Sequence, residues 1–145
     1  MLRGFENIEN VVETTSTRYL NEPGEYDLKI EACKHHESTN PTKPGQAYFI
    51  AEMIVVNSDN DNFRKGSRVS FTKELTRNHK NVEDVMKFMR SATNQPDFSN
   101  IDGDFVSAVC GPEQLLSGHE VHASVYFKPL ANGTQFAVAD FNPVG

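Results

Sequence analysis

A short hydrophilic turn, DNFRKG at positions 61 to 66, places an aromatic residue directly before two cations. Phe63 offers a ring on which a nucleobase can stack, and Arg64 and Lys65 offer positive charge to a phosphate. Proteins that bind single strands without regard to sequence combine these two kinds of contact. The alternative is that Phe63 folds under the turn and contributes only to the core.

Four other residues of the same two chemical types fall in or beside predicted strands: Tyr48, Arg68, Tyr126 and Lys128. Together with the turn, they predict a surface that stacks bases on aromatic rings and holds the backbone with cations. For Tyr48 and Tyr126 the alternative is an amphipathic position in a sheet, with no ligand.

Enzymatic and metal chemistry find little support in the residue spacing. The sequence contains no GxGxxG, P-loop, GxSxG or HExxH motif. Cys33 is followed by Lys34, His35 and His36. Adjacent side chains on a strand point to opposite faces, so this run gives a thiolate-imidazole pair only if the loop that follows folds back. The two histidines and Glu37 would need a further metal ligand from elsewhere. We therefore predict a protein that is not an enzyme and has no metal and no cofactor.

The acidic segment NSDNDN at positions 57 to 62 has oxygen ligands at alternate positions, as calcium loops do. It lacks the glycine and the bidentate glutamate of an EF-hand loop. The pattern favours a turn between strands, in which Asx side chains hydrogen-bond the backbone.

Composition predicts one domain. A chain of 145 residues buries a single ordinary core, and two cysteines without CxxC spacing favour a reducing compartment. No apolar run is long enough for a membrane helix, so we expect a soluble, cytoplasmic protein with no membrane partner.

The net charge of -6 is unevenly distributed. The segment from Phe63 to Arg90 contains eight basic and three acidic residues, whereas the segment from Met1 to Glu31 contains three basic and seven acidic residues. The middle of the chain can therefore present a local positive patch on an acidic body. A solvated basic helix and loop is the alternative.

Apolar periodicity predicts the elements that position these residues. PGEYDLKIEACK alternates with Tyr26, Leu28, Ile30 and Ala32 on one face, and a polar loop follows over residues 35 to 46. AYFIAEMIVV, within residues 47 to 57, is apolar on both faces and predicts a central strand. SRVSFTKEL is a third strand, and NVEDVMKFMR predicts a helix over about residues 81 to 92, with Asn81 as its N-cap. Short helical turns broken at Gly111-Pro112 and two final strands complete the chain.

The resulting order, β-β-β-α-β-β, is that of the OB-fold, so we predict a mainly β, five-stranded Greek-key barrel with one helix between strands 3 and 4. Residues 1 to 18 form an N-terminal lead-in, either extended or helical, and residues 19 to 145 form the single OB-fold-like domain.

Over residues 19 to 144 the chain resembles the small OB-fold proteins of bacteriophages. The resemblance rests on Gly24 and Tyr26, on Gly45 with Tyr48, Phe49 and Glu52, and on Gly66 and Gly118. Several such proteins bind single-stranded DNA in replication and recombination, which implies the same partner here. The alternative is a structural or interaction module without affinity for nucleic acid, assembling through a strand edge or through the second face of strand 47–57.

Overall fold

The computed structural model describes residues 18–42 and 44–144, so the predicted lead-in falls outside the described residues except for Arg18. Six strands and two helices follow one another: β1 (Arg18–Tyr19), β2 (Gly24–Glu37), β3 (Ala47–Ser58), β4 (Arg68–Glu74), α1 (His79–Ala92), α2 (Gly103–Cys110), β5 (Glu120–Pro129) and β6 (Gln135–Asn142). The strands form one sheet in the order β1-β4-β3-β2-β5-β6, which curls into a half-barrel.

The predicted mainly β class is confirmed, but the predicted count of five strands and one helix is too low. The additional strand is β1, two residues long, which pairs parallel to β4. The second helix, α2, occupies the segment predicted as short helical turns. Its N-cap Asp102 accepts a hydrogen bond from Phe105 N at 2.9 Å, and the helix ends at Gly111. No helix of residues 18–42 and 44–144 combines the length and the apolar character needed to cross a bilayer.

Strand β2 is the longest element of the sheet and pairs with both β3 and β5. Tyr26, Leu28 and Ile30 are buried as their alternation predicts. A register shift between Ile30 and Ala32 then changes the facing of the strand, so that Cys33 is buried in place of Ala32. The strand also continues to Glu37, so the predicted polar loop starts later than expected.

Strand β3 is central in the sheet, as its apolar sequence predicts. Its concave face is fully buried and carries Phe49, Ala51, Met53 and Val55. The opposite face is only half-buried, so the expectation of two covered faces is met on one face alone. Long charged side chains span part of this outer face: Arg68 of β4 reaches over β3 to Glu31 of β2 at 3.0 Å.

Four phenylalanines bring the two sides of the sheet together. Phe71 of β4 and Phe141 of β6 have ring centroids 4.7 Å apart, although three strands separate β4 from β6 in the sheet. Phe88 of α1 packs against both rings, at 5.5 and 4.9 Å, and against Phe49 of β3 at 5.8 Å. These contacts require the sheet to curl around the helix.

Helix α1 begins two residues earlier than predicted and uses a different N-cap. The side chain of Asn78, not that of Asn81, accepts the hydrogen bond of Lys80 N at 2.9 Å. Asn81 instead donates to the carbonyl of Glu74 in β4 at 2.9 Å, and Ser91 donates to the carbonyl of Phe141 in β6 at 2.9 Å. Side chains of α1 thus hydrogen-bond backbone carbonyls of both β4 and β6, the two strands against which the helix packs.

We expect Phe88→Ala to lower the free energy of unfolding by about 3–5 kcal/mol, because the ring is fully buried and the site cannot collapse around the lost volume. Urea denaturation followed by circular dichroism measures this change. The matched control is Phe127→Ala, where the ring is 48% exposed, and its cost should be much smaller. Equal losses in the two variants would contradict the central role of Phe88.

Candidate nucleic-acid interface

The turn between β3 and β4 is held by its own polar side chains, as the NSDNDN segment predicts. Asn62 N donates to Asn60 Oδ1 at 2.9 Å, and Asn60 N donates to Ser58 Oγ at 2.9 Å. Asp59 Oδ1 accepts a hydrogen bond from Glu25 N at 2.9 Å, which fixes the turn to the beginning of β2. The carboxylate and amide oxygens are therefore used within the protein.

Phe63 lies under this turn, in the core. Phe63 is 1% exposed, its ring centroid lies 6.0 Å from that of Tyr26 in an edge-to-face arrangement, and the Arg18 guanidinium is 4.2 Å from the same centroid. Burying the large Phe63 ring is favourable in free energy compared with leaving it exposed in a polar turn. Tyr26 adds an edge-to-face contact between the two rings. The ring has no face open to a nucleobase in this structure. The predicted stacking role of Phe63 is therefore corrected to a packing role.

The two cations that follow Phe63 are exposed. Arg64 Nε donates to the carbonyl of Asp61 at 3.1 Å, and neither Arg64 nor Lys65 forms an ion pair with any residue that the structure describes. Arg68, by contrast, is engaged with Glu31 on the outer face of the sheet. Arg64 and Lys65 are thus better placed to meet a phosphate than Arg68.

Tyr48 lies far from these cations. In the sheet register it pairs with His36 and Glu74, whereas Arg68 pairs with Ile54, six residues further along β3 and roughly 20 Å away. The Tyr48 hydroxyl forms a 2.6 Å hydrogen bond with the side-chain amide of Gln46. The structure therefore does not bring Tyr48 and Arg64 into one site.

Among the described residues, the exposed phenylalanine and tyrosine side chains other than that of Tyr19 all lie on the hairpin of β5 and β6. Tyr126, Phe127 and Phe136 are 42%, 48% and 41% exposed. Lys128 is directly opposite Phe136 in the ladder, and Phe127 is opposite Ala137. Side chains alternate along a strand and directly paired residues share a face, so Tyr126, Lys128 and Phe136 lie on one face of the ribbon and Phe127 lies on the other. The predicted candidates Tyr126 and Lys128 are therefore on the same face as Phe136.

The exposure of Phe127 and Phe136 has a simple cause. Strand β2 begins at Gly24, which pairs with Val125, so no β2 residue lies beside β5 beyond that point. The ribbon continues past the end of the sheet to its turn, where Gly133 has a φ of 86°. The alternation of β5 alone assigns Phe127 to the buried face. The signal for its exposure is the late start of β2.

The ribbon and the β3–β4 turn lie at the same end of the sheet, where β2 begins. Val125 is opposite Gly24, and the turn is bonded to the adjacent Glu25 through Asp59. We define the hairpin interface as the following set: Tyr126, Lys128 and Phe136 on one face of the ribbon, Phe127 on its other face, and Arg64 and Lys65 of the turn. Beside Tyr126, the negative charge of the Asp140 carboxylate raises the pKa of the phenol.

A second polar cluster occupies the outer face of β2 and β5. His122 contacts Asp27 at 2.8 Å through Nδ1 and Glu25 at 3.1 Å through Nε2, and Ser124 donates to Glu25 at 2.7 Å. The hydrogen bond to Asp27, then that to Glu25, raises the pKa of His122, and the bonds from Ser124 and His122 lower the pKa of Glu25. Sequence spacing gives no sign of this cluster, because its members come together only through strand register.

No protein-family model and no curated protein sequence matches this chain.

The His122 cluster predicts a pH-dependent stability. The folded-state pKa of His122 is above its usual value of 6.5, so its contribution is complete below about pH 6.5 and declines as pH rises through the folded value. Glu25 has the opposite sign: its contribution is complete above about pH 4.5 and is lost as pH falls. The stability difference between the wild type and His122→Gln should therefore shrink on going from about pH 6 to about pH 8.5. Urea titrations at both pH values measure it, and a constant difference would contradict the ionic pairing.

Proposed function

We propose that the protein binds single-stranded DNA without sequence preference through the hairpin interface, and that it acts in phage-type replication or recombination in the host cytoplasm. The observation that carries the proposal is the pair of exposed rings Tyr126 and Phe136 on the same face of the ribbon as Lys128, with Phe127 exposed on the other face.

The exposure of these rings is costly without a ligand. Each apolar ring left in water forgoes the free energy of burial, about 25 cal/mol per Å² of apolar surface. A group of such rings on a projecting ribbon is therefore typical of an interaction site. Nucleobases have flat faces that stack on any of these rings, with about 1–3 kcal/mol per base and little regard to base identity.

The strand connectivity supports the same proposal. Strands β2 to β6 pair in the order β4-β3-β2-β5-β6, and α1 follows the third of these five strands. We interpret this part of the half-barrel as an OB-fold, with β1 added at one edge. In OB-folds the loop between the last two strands is one of the two that contact oligonucleotides, and its counterpart here is the ribbon turn.

The charge distribution bears more on the preference for a single strand over a duplex than on the strength of DNA binding. The body of the protein is acidic, with a net charge of -6, so contact with a polyanion must be local. Lys128, Arg64 and Lys65 supply the local cations. Only a flexible single strand can bring its bases onto the rings while its phosphates approach these side chains, whereas a duplex keeps its bases stacked inside.

Fluorescence anisotropy with a labelled oligothymidine and the corresponding duplex tests the proposal. We expect the single strand alone to bind, with an affinity that falls as salt increases because each contacted phosphate releases counterions. Tyr126→Ala and Phe136→Ala, which alter rings on the same face as Lys128, should each weaken binding by about 1–3 kcal/mol through lost stacking. Lys128→Gln should reduce the slope of log affinity against log salt by about 0.7.

The matched control is Leu115→Ala. Leu115 is 40% exposed and follows Gln114, which bonds Cys33 far along β2 from the ribbon, so its loss should leave the affinity unchanged. Absence of binding at low salt with micromolar protein would reject the proposal. Equal weakening by Leu115→Ala and Phe136→Ala would remove the ribbon from the site.

A second candidate function, a protein interaction module, is favoured by Leu130, which is 45% exposed at the tip of the same ribbon. An aliphatic side chain adds nothing to base stacking but contributes to a protein interface. This candidate expects association between proteins and no affinity for the oligonucleotide, so the anisotropy series together with analytical ultracentrifugation distinguishes the two.

A further inference from the structure

The far half of β2 has an open edge. From Gly24 to Lys29 the strand pairs with β5, and Ile30 exchanges hydrogen bonds with His119 and Gly118, both at 2.8 Å. At Cys33 a side chain replaces the strand: Gln114 accepts from Cys33 N at 2.7 Å and donates to Cys33 O at 2.8 Å. This side of β2 continues to Glu37 without a neighbouring strand.

Two residues of this edge direct their backbone groups away from the sheet. Orientation alternates along an antiparallel ladder, and both backbone groups of Cys33 point to Gln114. His35 and Glu37 therefore point the same way, whereas Ser38 N turns back to Gln46 O in the chain leading into β3, at 2.8 Å. Within the described ranges, no hydrogen bond outside the β2–β3 ladder reaches the backbone of His35 or Glu37.

An apolar cavity of about 300 Å³ adjoins this edge. His35 lies in its wall, together with Phe49, Val82 and Met86, and with Val106 and Cys110 of α2. A second cavity of about 410 Å³ shares His35, Val106 and Cys110 with the first, so the two form one groove between the β2 edge and α2. At about 30 Å³ per water, the first cavity has room for one large apolar side chain.

We propose that this groove binds an extended peptide segment of another protein, which adds a strand to β2 and inserts one apolar side chain into the cavity. The N–H and C=O groups of His35 and Glu37 specify an extended backbone as the occupant. The cavity specifies an aliphatic or aromatic anchor, and Met86 in its wall adapts to either shape.

The size of the groove favours a short linear segment over a second copy of the chain. It offers two backbone residues and one side-chain site. The area buried at these positions is far less than the roughly 1,200–2,000 Å² that a stable interface between folded proteins buries. Side chains of a strand alternate between its two faces, so residues beside the anchor point away from the cavity and need only be compatible with a strand.

The probes are two acetylated and amidated pentapeptides, one with a central leucine and one with a central phenylalanine, each flanked by two threonines on both sides. Titration of the ¹⁵N-labelled protein with peptide up to about 1 mM, the weak end of specific binding, should shift the amide signals of His35 and Glu37. A central alanine should weaken binding at least tenfold. His35→Pro removes the outward N–H without breaking the β2–β3 ladder and should also weaken binding at least tenfold.

Val106→Asp places a charge in the groove at a residue that is already 37% exposed, and it should abolish binding. Leu115→Asp is the matched control, since Leu115 is 40% exposed and lines neither cavity, and it should bind like the wild type.

Absence of binding by leucine and phenylalanine peptides alike would overturn the proposal, as would unchanged binding by both His35→Pro and Val106→Asp. A concentration-dependent dimer that both variants abolish would assign the groove to a second copy and also overturn it. Oligothymidine binding is measured separately, so failure here leaves the nucleic-acid proposal intact.

Discussion

The contact between Phe71 and Phe141 across the open side of the sheet is the constraint on which the rest of the fold depends. The two rings belong to β4 and β6, and they meet at 4.7 Å with Phe88 of α1 beside both. A flat sheet would hold them several strands apart. Their burial therefore requires the curvature that encloses the core, and α1 completes it by satisfying backbone carbonyls of Glu74 and Phe141.

The same constraint leaves two regions uncovered, at opposite ends of β2. At its beginning, β5 and β6 continue past Gly24 and present Phe127 and Phe136 to solvent. At its end, β2 continues past β5 and presents the backbone of His35 beside an apolar cavity. One region offers rings and cations, and the other offers hydrogen-bonding groups and an apolar cavity. The two proposed ligands, a nucleic acid and a peptide, are thus assigned to separate surfaces.

Local sequence patterns predict the features of the fold that are set by residues close together in the sequence. The alternation in Tyr26, Leu28 and Ile30, the apolar strand with Phe49 and the Asx turn are all present. Ala32 is wrongly assigned to the buried face because a register shift in β2 changes which side chains point inward, and nothing in the sequence indicates that shift. Asn81 is misassigned as the N-cap because its amide bonds Glu74, a contact that exists only after β4 and α1 pack.

The candidate site is predictable only in part, because exposure is a property of the whole sheet. Phe63 has the right chemistry beside Arg64 and Lys65, yet its ring packs against Tyr26 and is buried. Phe127 has the spacing of a core residue and is exposed, because β2 does not extend beside it. The relative lengths of β2 and β5 decide the exposure of Phe127, and packing of the turn onto Tyr26 decides the burial of Phe63. Neither is visible in a short stretch of sequence.

Photocrosslinking tests the central claim most directly. An oligothymidine that carries 5-iododeoxyuridine crosslinks to aromatic side chains stacked on its bases, and mass spectrometry of the digest locates the modified residue. We expect crosslinks to Tyr126, Phe127 or Phe136 of the ribbon. Crosslinks confined to Tyr48 or Tyr19, or none with protein in excess, would contradict it.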